Sequence, residues 1–315
     1  MFETTLRQML TMFAFILVGY GLRKGKILPE ESGVTLARLE TYLFVPALTL
    51  SSQINFCTVE NFRQGSSLIL YGAVIIAAGV LLAVPLSRLF VRRADTPEEA
   101  YQRSIYRYGL IFANYGFVGV FLFEGEMYFK YQLFCFVVGI LCSSYGLYLL
   151  IPKEKNAGLL QNIKRSFLAP PMISLVVGMT FGLLNLGPYV PPFLMTAFKN
   201  AGACQGPVAM VLAGFVIAGF PLREILVNKK VYVATFLRLI AIPAAVLTVL
   251  HFLGTPKEIM MLALVCIGGP LGLNTIVYPE TYGGDVKTGA SMASISHTLC
   301  VVTIPLMYWL FIEMW

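Results

Sequence analysis

Residues 268–274 read GGPLGLN, inside an otherwise apolar run from Ile259 to Val277. Proline costs an interior helix about 3 kcal/mol relative to alanine, and each glycine about 1. A run that crosses a bilayer must satisfy its own backbone hydrogen bonds, because lipid offers no replacement. A break of this kind survives only against protein or beside water. The stretch therefore implies a partner, and the partner shows in the spacing. A shift of about 160 positions brings the chain's punctuation onto itself: Pro29 meets Pro188, Pro46 meets Pro207, Pro85 meets Pro243 and Asn114 meets Asn274. Asn114 lies in a second glycine-rich apolar run, GLIFANYGFVGV, residues 109–120.

Composition sets the class. The chain has 315 residues, of which 57% are hydrophobic and only 12% charged, with a mean hydropathy of +0.76. That describes an all-α polytopic membrane protein. A span needs roughly 20 mostly apolar residues. Such runs lie near 6–23, 35–53, 66–91, 105–123, 130–151, 170–186, 192–219, 231–253, 258–281 and 288–312, which predicts ten transmembrane helices. The first run is read as a retained helix, because its basic cluster Arg23, Lys24, Lys26 follows it rather than precedes it.

The net charge of +7 could suggest nucleic acid, but most basic residues fall on alternate loops. Arg88, Arg92, Arg93, Lys153, Lys155, Lys229 and Lys230 belong to the rich set, and Arg63, Lys130 and Lys257 to the poor one. The rich loops are expected in the cytoplasm, which puts both termini outside a plasma membrane and excludes nucleic acid as a partner. The six cysteines show no zinc or redox spacing, so no metal or other cofactor is expected.

The matched landmarks divide the chain into 1–157 and 158–315, with five spans in each and a seam in the basic loop Lys153–Arg165. Five is odd, so the second unit enters the membrane inverted. Inverted repeats with interrupted helices are the architecture of secondary transporters. Helices four and nine are then expected to break and cross at the midplane. Each contributes a half-helix N-terminus with free N–H donors, a setting that favours an anion.

The sequence resembles the auxin efflux carrier family, which includes bacterial malate and malonate permeases and plant auxin exporters. The resemblance is strongest in GYGLRKGKILPEESGVTLARLETYLFVPALTL (19–50), FANYGFVGVFLFEG (112–125) and GGPLGLNTIVYPETYGGDVKTGASMASISHTLCVVTIPLMYWL (268–310). It implies a scaffold from helices 1, 2, 6 and 7 and a moving domain from helices 3–5 and 8–10. The family's crossover asparagine maps to Asn114 and its second crossover proline to Pro270. Plant exporters carry a proline where this chain has Ala113, and often a long central loop that is short here. Both departures point to a substrate smaller than auxin, and the first places the break on Gly109, Gly116 and Gly119.

The substrate-binding residues expected are Asn114, Asn274, Pro270, Gly272 and Tyr115, with Gln205, Ser51 and Ser52 as further walls. An asparagine amide offers two N–H donors to a carboxylate without bringing charge. The serines could equally bond back to the preceding turn, and Tyr115 and Tyr278 could belong to an interfacial belt. None of the 16 acidic residues is expected mid-span; Glu40 and Glu280 come closest, about two turns from a predicted edge. His297 and Glu280 are candidates for proton coupling, against the plainer reading of His297 as a hydrogen-bonded core residue. Arg238 is expected to snorkel to the cytoplasmic face or pair with a carboxylate, with attraction of an anion as the lesser alternative. The function expected is transport of a small organic anion such as malate or malonate by elevator-like alternating access, as export, uniport or proton-coupled movement. The alternatives are a sodium-coupled symporter resembling the bile-acid carriers and a sensor that binds without transporting. No nucleophile elbow, phosphate loop or catalytic carboxylate pair points to an enzyme. Lipid surrounds the chain, and a homodimer is left open.

Overall fold

The computed structural model describes residues 2–221, 223 and 227–315. Among them the only β-type pairing is an isolated antiparallel bridge between Ala113 and Leu271. Everything else regular is helical: α1 (Phe2–Lys24), α2 (Ser32–Leu39), α3 (Val45–Phe56), α4 (Val59–Leu86), α5 (Pro97–Ile111), α6 (Tyr115–Leu122), α7 (Gly125–Phe134), α8 (Phe136–Leu141), α9 (Leu147–Leu150), α10 (Leu159–Phe167), α11 (Pro170–Leu183), α12 (Pro192–Ala203), α13 (Gln205–Ala218), α14 (Lys229–Phe236), α15 (Ile242–Phe252), α16 (Lys257–Gly268), α17 (Asn274–Tyr282) and α18 (Lys287–Tyr308).

Among the described residues five continuous helical stretches are long and apolar enough to cross a membrane: Glu3–Lys24, Val59–Leu89, Pro192–Ala218, Lys229–Phe252 and Lys287–Glu313. Counting two bent pairs as spans gives up to seven; α7 meets α8–α9 at 54°, and α10 meets α11 at 49°. The ten expected spans are thus reduced to five, or at most seven, that stand on length and composition. The runs 105–123 and 258–281 fall out because each is interrupted, leaving α5 and α6 with 15 and 8 residues and α16 and α17 with 12 and 9. Leu17, Leu70, Leu81, Val176, Val249 and Val302 are exposed, as lipid-facing positions require in a multi-pass protein.

Close packing relies on small residues. A Cβ on Gly19 would lie 1.9 Å from the Val211 carbonyl oxygen, and one on Gly214 would lie 1.8 Å from that of Ile16. These two glycines let α1 and α13 approach backbone to backbone, as helices in lipid commonly do. Helix α3 packs on α11 and α12, with Gly178 against Gln53 and Gly202 against Leu48.

Among the described residues four π-helical turns widen the helices: Glu40–Phe44, Cys142–Gly146, Leu237–Ala241 and Trp309–Glu313. Such turns are frequent at functional sites. Among the described residues the only buried Asp, Glu, Lys or Arg side chains are Glu40 and Arg238, and each sits in a π turn shortly before a proline, Pro46 or Pro243. The start of α5 is fixed by a capping box, in which Thr96 Oγ1 accepts from the Glu99 N–H (3.2 Å) and Glu99 Oε2 accepts from the Thr96 N–H (3.3 Å). Helix α10 exposes Leu159, Leu160 and Phe167 beside Lys164 and Arg165, the composition of a helix lying in a membrane interface.

Candidate functional site

The two interruptions meet. The Asn114 N–H donates to the Pro270 carbonyl at 2.7 Å, beside the Ala113–Leu271 bridge. Each broken strand thereby supplies backbone partners that its own helix has lost. In the second break Pro270 has no N–H, and the residue before it, Gly269, is extended at φ −67°, ψ 161°. In the first break the extended residue is Phe112, at φ −108°, ψ 124°. Gly109, Gly116 and Gly119, on which the sequence placed that break, all lie inside helices. Gly109 and Gly119 instead make room for neighbours: a Cβ would meet the Leu271 side chain at 2.7 Å and the Tyr131 ring at 2.1 Å.

Helices α6 and α17 begin at this crossing, with Asn114 as the N-cap of α6 and Asn274 as the first residue of α17. Their first-turn N–H groups and positive dipole ends lie at the break. Asn114 and Asn274 are half-buried and Gly116 is exposed, with open space where its Cβ would stand. Asn114 Nδ2 lies 3.2 Å from His297 Nε2, and His297 Nδ1 lies 2.7 Å from the Ala293 carbonyl. A carbonyl only accepts, so Nδ1 carries the proton and Nε2 accepts from the asparagine amide. This neutral tautomer satisfies both ring nitrogens.

Asn274 Nδ2 donates to the Tyr108 hydroxyl at 3.0 Å, and that hydroxyl lies 3.4 Å from Cys142 Sγ. The Leu271 N–H donates to Ser296 Oγ at 2.9 Å, and the Gly272 carbonyl accepts from the Thr275 hydroxyl at 2.8 Å. Pro270, Gly272, both asparagines and His297 therefore form one constellation. Tyr115 borders it, its carbonyl accepting from the Tyr131 hydroxyl at 3.0 Å.

No hydrogen bond ties Ser51, Ser52 or Gln205 to the crossing among the described residues. Ser51 gives its carbonyl to Asn55, and Ser52 Oγ is buried without a partner. Gln205 is buried against the Glu40 carboxyl. Glu280 is exposed, near the far end of α17. Glu40 itself is 3% exposed, so one carboxyl lies deeper than the sequence suggested. Arg238 does not snorkel, and among the described residues it pairs with no carboxylate. It is buried, and its Nη1 donates to the carbonyls of Leu110 (3.0 Å) and Ile111 (3.2 Å) at the C-terminal end of α5. Tyr108 and Ser296 were missed as site residues. The one sequence signal for Ser296 is its place beside His297.

An all-helical membrane chain whose two interrupted helices exchange backbone bonds, with paired amides at the crossing, has the construction of a membrane transporter. The family comparison agrees: the chain belongs to the membrane transport protein family, that of the auxin efflux carriers, whose model matches residues 4–308. No curated protein matches it.

Proposed function

We propose that the chain is a secondary transporter of a small organic anion, a carboxylate of the malate or malonate kind, moved by elevator-like alternating access. The observation that carries this reading is the hydrogen-bonded crossing at Asn114 and Pro270, where two half-helix N-termini and two neutral amides converge. Such a place offers donors and partial positive charge to a carboxylate in an apolar setting.

The ten-span, inverted-repeat reading adds Ser32–Phe56 and the two interrupted pairs to the seven spans. It is supported by the position of both breaks at the matched asparagines. The packing of α1 on α13, and of α3 on α11 and α12, supports a scaffold from spans 1, 2, 6 and 7. The remaining spans are the moving domain. Both termini face outward from the plasma membrane, as the basic loops require.

A cell negative inside expels an anion unaided, because each charge moved through 100 mV is worth about 2.3 kcal/mol. The Asn114–His297 contact favours proton coupling as a component. A proton on Nε2 would face two donors toward each other, so the asparagine amide must flip or leave. Protonation of His297 and presentation of the substrate-binding amide are thereby linked.

Thermal unfolding of the purified chain against malate and malonate tests the site. A ligand at 100-fold its Kd stabilises the native state by about 2.7 kcal/mol. The shift is expected in the wild type and absent in Asn114→Ala and Asn274→Ala; wild-type shifts in both variants refute the assignment. Labelled-ligand counterflow in proteoliposomes separates a carrier from a sensor, since a sensor gives none.

A further inference from the structure

Arg238, in the π turn Leu237–Ala241, is 1% exposed. One nitrogen, Nη1, is used on the last carbonyls of α5, where it offsets the negative end of that half-helix. Nε and Nη2 are buried with no hydrogen-bond partner. None of the ion pairs among the described residues involves Arg238. Its π turn packs against α5, α14, α15, α16 and α18, whereas that of Glu40 packs against α11, α12 and α13, so the two buried charged residues sit among different helices.

A buried carboxyl can become neutral by taking up a proton, but a guanidinium keeps its charge. Two carbonyl dipoles satisfy two hydrogen bonds and leave the charge unmatched, a costly state in an apolar interior. The Nε and Nη2 groups form one planar side of the guanidinium, the fork that grips a carboxylate through two parallel bonds. That side is the free one. It belongs to a residue bonded to Leu110 and Ile111, just ahead of the Asn114 break, and its π turn also packs against α16, which ends at the other break.

We propose that the Nε/Nη2 fork of Arg238 binds a carboxylate group of the transported anion, with Asn114 and Asn274 as neutral donors to the rest of the ligand. Arg238 then imposes the requirement for negative charge, which amides alone would not. The inference rests on the carboxylate-carrier reading and deepens it. It also makes exchange easier than uniport: the empty moving domain holds an unmatched positive charge, and a bound carboxylate cancels it before the domain moves.

The test uses the full-length chain, with malonate and its neutral isostere malonamide as probes. In the wild type, malonate shifts thermal unfolding and malonamide does not. In Arg238→Gln the malonate Kd rises at least about 30-fold, the scale for removing one partner of a buried charge pair. Arg238→Lys keeps the charge and loses the fork, so its Kd falls between the two. In proteoliposomes, malonate on the far side accelerates release of labelled malonate from the wild type. Equal wild-type shifts with malonate and malonamide overturn the proposal, and this comparison stands even if Arg238→Gln does not fold. Wild-type malonate affinity in Arg238→Gln also overturns it, leaving Arg238 as a cap on α5 alone. If the wild type responds to no mono-, di- or tricarboxylate, the carrier reading itself fails, an outcome distinct from binding that ignores Arg238.

Discussion

At the scale of the residue, the contact between Asn114 and His297 is the most informative, because each side chain defines the other's hydrogen-bonding state. His297→Ala takes the acceptor from a half-buried asparagine amide and opens a cavity where the buried ring stood, a loss expected to cost about 1–3 kcal/mol of stability. His297→Gln offers a carbonyl oxygen in its place and should recover part of that stability while removing whatever pH dependence of malonate exchange this ring supplies. Thermal unfolding and exchange rates across pH check both statements, and an unchanged pH profile in His297→Gln rules out this histidine as the proton site. Glu40 permits a parallel argument. Both of its carboxyl oxygens and Gln205 Oε1 are buried without partners, so the group is best satisfied when it carries its own proton. Glu40→Gln should therefore unfold within about 1 kcal/mol of wild type, whereas Glu40→Ala opens a cavity beside an orphaned amide and loses about 2 kcal/mol or more. Equal losses in the two variants would show that Glu40 acts as a charge. Asn114 and Asn274 were legible in the sequence because they keep register with matched prolines. Tyr108 and Ser296 were not, since their partners are backbone or side-chain groups brought in from elsewhere in the fold, as with Tyr108 and Asn274 at a separation of 166 residues.

The same distinction governs the elements. Pro270 announces its break through its own chemistry, having no N–H to donate. The break at Phe112–Asn114 contains no glycine or proline and owes its shape to the strand it crosses, so local sequence places it only through the repeat. The glycines nearby encode helix approach, and their roles differ by position. At Gly214 an added methyl group would meet the Ile16 backbone, which cannot rotate aside, so Gly214→Ala should force α1 and α13 apart. A loss of about 2–3 kcal/mol is expected, the scale of overpacking. At Gly79, inside α4, nothing lies within 4 Å of the added Cβ. Gly79→Ala should then be neutral or stabilising by up to about 1 kcal/mol, through helix propensity alone. Thermal unfolding in one detergent compares the pair, and similar losses in both would mean that the α1–α13 approach is not the limiting contact.

For the whole molecule, hydropathy identified a polytopic membrane protein but overstated what length and composition can establish, because interrupted and bent segments look like spans in a window average. Whether the helices move as two bodies is a question of contacts between them. Gly206 of α13 faces α6: an added Cβ would lie 3.3 Å from Val120 Cγ1 and 3.2 Å from the Phe121 ring. In the elevator reading α13 belongs to the scaffold and α6 to the moving domain, so this contact must break in each cycle. A Cys at 120 would place its sulfur where Val120 Cγ1 now stands, within reach of a Cys at 206 and compatible with disulfide geometry. In a background with the six native cysteines replaced, the Val120→Cys/Gly206→Cys protein should exchange malonate when reduced and stop when oxidised. Reductant should restore the rate, and malonate binding should persist in the oxidised form, since no crossover side chain is altered. If the fully cross-linked carrier continues to exchange, α6 does not slide against α13, and access must alternate through smaller gating movements around a fixed site.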